Sequence, residues 1–173
     1  LGGGAFAQLC RSLVSVDNLP DAGPNEKAVL QVKSNLPGLV RGEATQAYID
    51  RYYEPLASIY AEGLDALIIT GANVANPRLD LEPFYAPLTE VIGWASENVT
   101  SVLCSCLSTH ALMKFLHGID RVPLPQKQWG VYRHRVVAPG HPLLRDINTR
   151  FDVPHSRYNA ITRDQFTAAG LRI

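Results

Sequence analysis

Apolar positions along the chain alternate between helix-like and strand-like spacing. From Glu43 to Glu62, Ala47, Ile49, Tyr52, Leu56, Ile59 and Tyr60 recur at helical intervals and Gly63 follows as a C-cap, which predicts an amphipathic helix interrupted near Pro55. The next stretch, Leu64-Asp65-Ala66-Leu67-Ile68-Ile69-Thr70-Gly71, is an apolar run that ends in glycine. That is the pattern of a strand buried on both faces of a parallel sheet. Helical spacing returns from Phe84 to Ser96 through Leu88, Val91, Ile92 and Trp94, and Val99 to Ser105 reads as a second buried strand. Leu107 to Leu116, closed by Gly118, predicts the helix that follows it.

Helix, strand, helix, strand, helix is the order of an α/β protein. The expected architecture is flavodoxin-like and doubly wound, a mostly parallel sheet with helices on both faces. Two further short strands are expected at Leu13–Val16 and Val29–Val32, with the turn-like Asp17 to Pro24 between them. So few residues cannot make a parallel crossover, which needs about a dozen or more. Beyond Gly118 the text is rich in proline and reads as loop, apart from strands at Trp129 to Val136 and Phe151-Asp152-Val153.

A length of 173 residues fits one domain. Apolar residues make up 46% and charged residues 18%, proportions that exclude a globally disordered or fibrous chain. Sixteen basic residues balance sixteen acidic ones without a long basic run, so nucleic acid is not an expected partner. No apolar stretch reaches the roughly 18 residues of a membrane span, and the start lacks the features of a signal peptide. A cytoplasmic protein is expected. Cys10, Cys104 and Cys106 are an odd count, and the close pair suits neither a disulfide framework nor a four-ligand zinc site. The expectation is a free thiol in a reducing compartment, with no metal.

Ligands of open α/β sheets bind at the carboxyl ends of the strands. Cys106 stands where a predicted buried strand turns into a helix, and the positive end of that helix dipole favours the reactive thiolate. The backbone N–H of Leu107, with a second N–H from the Gly71-Ala72 loop, would form an oxyanion hole for a tetrahedral intermediate. Against this stands the plain alternative of a small buried apolar residue. Cys104, two residues earlier in the strand, and Cys10 are assigned to the core. His110 follows Cys106 by four residues and so shares its helical face, though a base there would point back along its own helix. Composition leaves His155, in a stretch rich in turn formers, open between a solvated and a substrate-binding loop, whereas Lys127, in a proline-flanked stretch, reads by itself as a solvated surface lysine.

Taken together, Leu64 through Ala72, Trp94 through Ser101, Cys106, Pro123-Leu124-Pro125-Gln126-Lys127 with Gly130-Val131-Tyr132, and Pro154-His155-Ser156-Arg157-Tyr158 resemble the homoserine O-succinyltransferase and O-acetyltransferase family. The fold of that family is related to class I glutamine amidotransferases. The resemblance covers most of the chain from about Asn35 onward. It implies transfer of an acyl group from acyl-CoA to the hydroxyl of L-homoserine through a thioester on Cys106, in methionine biosynthesis. Acyl-CoA would be a co-substrate, with no further cofactor. Lys127 and Ser156 match the family's substrate-pocket lysine and serine, and His155 and Arg157 share the second motif.

The position matching Ala75 is glutamate in acetyl-users and glycine in succinyl-users. Small, uncharged Ala75 therefore implies succinyl-CoA over acetyl-CoA. The resemblance also implies a long helix after Asn18-Leu19-Pro20-Asp21, and a catalytic histidine and glutamate in a Gly-His-Pro-Glu segment. The expected unit is thus a single acyltransferase domain over residues 1–173 that lacks both. A homodimer is one option for its assembly. Two other readings stay open: a glutamine amidotransferase-like cysteine hydrolase, and an inactive binding domain of the same fold.

Overall fold

The computed structural model describes Leu36, residues 42–72, Val74, residues 76–144, Ile147 and residues 149–173. Cys10, the expected strands at Leu13–Val16 and Val29–Val32, and Ala75 lie outside these residues. Among them, residues 42–59 belong to one compact unit, and Leu36 with residues 60–173 to another.

In the first unit, helix α1 (Glu43–Tyr52) has no buried residue. Tyr48 and Tyr52 stack one turn apart with ring centroids at 4.7 Å. Pro55 explains why the helical pattern breaks: it disfavours helical backbone at the residue before it and has no N–H to donate. Helix α2 accordingly begins only at Leu56 and runs to Glu62.

The second unit begins its sheet with β1 (Ala66–Ile69), followed by helix α3 (Tyr85–Asn98), β2 (Ser101–Cys104) and helix α4 (Leu107–His117). The strands are parallel, in the register Ala66↔Ser101 through Ile69↔Cys104. On α3, Leu88, Val91, Ile92 and Ala95 are buried at the i, i+3, i+4, i+7 spacing that the sequence displays. Leu88 and Ile92 join Leu79, Phe84, Leu107 and Ala111 in one core cluster, with Ile69, Ala72 and Val74 packed against it. Gly118, with φ 65°, closes α4. The bonds Gly118 N–H to Lys114 O and Ile119 N–H to Met113 O complete the left-handed cap.

The strands differ from expectation in their burial. Ile68 is 61% exposed and its register partner Leu103 is 53% exposed, so this face of the pair is open and only the Ile69 side reaches the core cluster. An uninterrupted apolar run records compatibility with burial on both faces, while burial itself depends on what packs there. The described residues thus show the coarser content of the expected fold, helices with a parallel strand pair.

Beside it stands a second two-stranded sheet, an antiparallel hairpin of β3 (Val122–Arg135) and β4 (Arg150–Ala160). This corrects the loop reading of Pro123 to Gln128 and of His155 to Tyr158. Both stretches carry prolines and polar residues of low strand propensity, and cross-strand pairing overrides that preference. The register shifts between Pro123 and Gln128, where Pro123 and Pro125 cannot donate to a ladder and an irregularity relieves the demand. Helix α5 (Arg163–Ala168) follows with a capping box between Thr162 and Gln165.

These burial differences predict opposite outcomes on the two sides of β1. Leu88→Ala is expected to cost about 2–5 kcal/mol, as a buried leucine deletion does. Ile68→Thr, on the open face, is expected to stay within about 0.5 kcal/mol. Urea unfolding followed by circular dichroism measures both. A large loss from Ile68→Thr would show that this face is covered.

Candidate active site

Strand β2 ends at Cys104, and the chain turns through Ser105 and Cys106 directly into α4. Cys106 adopts φ 62° and ψ −124°, the one positive φ on a non-glycine residue among the described residues. Backbone of this kind costs roughly 1–3 kcal/mol and persists only where its surroundings hold it. Here the holding bonds are visible. Ile69 O, at the end of β1, accepts the Ser105 N–H at 2.9 Å. Ser108 Oγ donates toward Ile69 O at 2.7 Å and Ser105 O at 2.8 Å, and Thr109 Oγ1 donates to Cys104 O at 2.9 Å.

The tight turn places Cys106 at a strand-to-helix junction, free and exposed. Leu107 is the first residue of α4, so its N–H has no partner within the helix. The loop after β1 approaches this corner closely. A Cβ on Gly71 would lie 2.7 Å from Leu107 N and 2.9 Å from Cys106 Sγ. Glycine is therefore required there, and its bare Cα leaves the thiol and the Leu107 N–H facing one common space. Ala72, the next residue in the same loop, packs against the core cluster.

Cys104 behaves differently. It is half-buried, and burial pushes its thiol up despite a hydrogen bond with Ser108. A thiol held in its neutral form is a poor nucleophile.

His110 lies one turn along α4. Burial, with the charges of Arg121 and Arg157, pushes its imidazole down to about 4, and its Nδ1 is buried without a partner. It is a neutral group at physiological pH. Arg121 carries no motif that marks it in the sequence. Its Nη2 donates to Asn76 O at 2.7 Å and Pro77 O at 3.3 Å, while its Nε is buried without a partner. The sequence marks Gly71 as the glycine closing a strand in the loop expected to supply an oxyanion donor, but not its close approach to Cys106, and Ser108 carries no local signal.

The four expected substrate residues do not converge on one face of the hairpin. Lys127 Nζ lies 4.8 Å from the Trp129 ring centroid and 5.4 Å from that of Tyr158, and Ser156 is the register partner of Trp129. Side chains alternate along a strand, so His155 and Arg157 lie on the opposite face. There Arg157 Nε donates to Gln128 Oε1 at 2.9 Å. His155 Nε2 and His134 Nε2 share a hydrogen bond at 2.9 Å, and the Tyr132 ring stacks 5.0 Å from that of His155. Burial, Arg157 and His134 push the His155 imidazole down. A cleft of about 290 Å³ opens along β3, bordered by Leu124, Pro125, Gln126, Lys127, Gln128 and Tyr132. Cys106 does not border it. Among the described residues no cluster of three or more histidine, cysteine or acidic side chains could hold a metal ion, and no helix is long and apolar enough to cross a membrane.

Comparison with known proteins gives this geometry a context. The family model described as homoserine O-succinyltransferase matches residues 27–173. A homoserine O-succinyltransferase of Nitrosococcus oceani is 64% identical over 126 residues, which cover 73% of this chain and 35% of that protein. Those of Methylococcus capsulatus and Allochromatium vinosum are 59% and 57% identical over 138 residues, 80% of this chain and 39% of each relative. The chain therefore spans well under half the length of the curated relatives it matches.

Two measurements follow from the site's geometry. Gly71→Ala is expected to slow alkylation of Cys106 by iodoacetamide, since the added methyl group would crowd Sγ directly, while circular dichroism stays native. An unchanged rate would mean that the loop yields without disturbing the thiol. Separately, His110 is held neutral when folded but takes up a proton at its ordinary value near 6.5 when unfolded. Its contribution to stability is thus fully present above about pH 6.5 and is lost as pH falls toward about 4. His155 acts in the same direction. Urea midpoints measured across this window should fall with pH, and His110→Gln should flatten the slope. An undiminished slope in that variant would assign the dependence elsewhere.

Proposed function

Because the chain belongs to the homoserine O-succinyltransferase family, we propose that it carries the nucleophile of a homoserine acyltransferase of methionine biosynthesis, working through a thioester on Cys106. The observation that carries this reading is the strained turn, where an exposed thiol and the free Leu107 N–H face one space beside Gly71. In the first half-reaction the Cys106 thiolate attacks the acyl-CoA carbonyl. The oxygen gains negative charge beside the N–H groups of Leu107 and Ala72, and collapse expels CoA as its thiolate, which takes up a proton. In the second, the homoserine hydroxyl attacks the Cys106 thioester, gives its proton to a general base, and leaves with the acyl group while the thiolate returns.

Neither histidine nearest this chemistry suits the role of base. His110 is held neutral with its Nδ1 buried, and His155 is engaged with His134. The histidine and glutamate implied by the family resemblance are the better candidates. Lys127 and Ser156, on one hairpin face, would bind substrate by their side chains, with His155 and Arg157 contributing from the other. Succinyl-CoA is the favoured donor because Ala75 is small and uncharged, leaving room for a carboxylate that a glutamate would repel. Acyl-CoA serves as co-substrate with no other cofactor, in the cytoplasm, with a homodimer as one option. The parallel pair β1–β2 would belong to a larger doubly wound, flavodoxin-like sheet.

Incubation with succinyl-CoA or acetyl-CoA, followed by intact-mass measurement and peptide mapping, tests the central step. The expected result is one succinyl group on Cys106, absent in Cys106→Ala and retained in Cys104→Ala. Equal loss in both variants would reject Cys106 as the nucleophile. Ammonia release from glutamine without acylation would replace the acyltransferase reading with the hydrolase one.

A further inference from the structure

Ser108 is the one buried polar residue among the described residues, 1% exposed. A buried hydroxyl is costly unless it is hydrogen-bonded, and this one meets two carbonyls besides the Cys104 thiol. The contact with Ser105 O is a local one that any serine in a first helical turn can make. The contact with Ile69 O joins residues 39 positions apart. Ile69 ends β1, two residues before Gly71, and Ser105 immediately precedes Cys106. The single hydroxyl proton therefore sits between the two chain segments that form the corner around the thiol.

We infer that Ser108 is a positioning residue that fixes the separation between the Cys106 turn and the Gly71–Ala72 loop, and so keeps Sγ and the two oxyanion donors in mutual register. This rests on the proposed acyl-transfer reading of the corner. Three observations favour it over a purely structural role. Cys106 stands at the N-cap of α4 with no side-chain cap, and the Ser108 hydroxyl reaches across to β1 as well as to Ser105 O. Ile69 O already accepts the Ser105 N–H, so removing the hydroxyl leaves that carbonyl with a partner and confines the loss to the contact with Ser105 O. Finally, the margin is narrow, because Gly71 is already so close that a methyl group on it would collide with Leu107 N and Cys106 Sγ. Small changes in the separation of the two segments thus fall directly on the reacting atoms.

The test compares Ser108→Ala with the unmodified chain in three measurements. Amide exchange at Ser105, followed by NMR, should accelerate about tenfold while the Tm stays near its original value. Acylation of Cys106 by succinyl-CoA should slow by about tenfold, below the loss typical of deleting a donor outright. Alkylation by iodoacetamide, which forms no oxyanion, should change less than about twofold. If Ser108→Ala does not fold, Ser108→Thr and Ser108→Val replace it. They add the same volume and differ only in the hydroxyl, so the threonine variant should acylate about tenfold faster and protect Ser105 better. Equal exchange and equal acylation with and without the hydroxyl would overturn the inference. Failure of the unmodified chain to acylate would reject the functional reading alone, and exchange at Ser105 would still decide the role of Ser108.

Discussion

The candidate site depends on one constraint, the closeness with which the end of β1 is held against the Cys106 turn. A single carbonyl, that of Ile69, receives the Ser105 N–H at 2.9 Å and the Ser108 hydroxyl at 2.7 Å. These bonds continue the parallel pairing one step past the last strand residue and carry it into the first turn of α4. A positive φ at Cys106 is unfavourable for a residue with a Cβ. It is tolerated because the chain on both sides is fixed, by strand pairing before it and by the packing of Leu107 and Ala111 in the core after it.

That arrangement explains why two cysteines separated by one residue have different chemistry. Cys104 ends the paired strand, half-buried, with its thiol held neutral by the burial that stabilises the sheet. Cys106 is turned out of the strand and exposed. The half-buried and the exposed thiol are separated by backbone geometry, with no difference in side-chain type. Gly71 is the complement of this geometry, since the corner closes only where the facing residue has no side chain.

Charges of both signs surround α4, where Lys114 pairs with Asp80 and Asp120. Burial, with the charges of Arg121 and Arg157, keeps His110 neutral, and Arg157 donates to Gln128, a neutral partner. Arginine held by a neutral partner keeps its full charge for a further anion. The hairpin brings Arg157 to one of its faces while presenting Lys127 between Trp129 and Tyr158 on the other. Two cations that are neighbours in the β3–β4 ladder thus serve different surfaces, because the strand's period of two separates them.

The sequence by itself determined the local elements whose signals are local. The helical periodicity of Glu43 to Glu62 with its break at Pro55, the apolar runs of β1 and β2, and the glycine cap at Gly118 all follow from residue spacing and backbone preference. So did the position of Cys106 between a strand and a helix. Tertiary structure alone decided matters that depend on distant partners. The stretches around Lys127 and His155 are strands because each supplies the ladder of the other, against the preference of their prolines and polar residues. The apolar run of β1 is open on its Ile68 face because burial belongs to what packs on a strand, and composition carries no record of that. Ser108 and Gly71 gained their significance only when residues some 35 to 39 positions apart were brought within hydrogen-bonding distance. A contact of that range leaves no periodic trace in the chain, since it is set by how two strands and a helix close on one another.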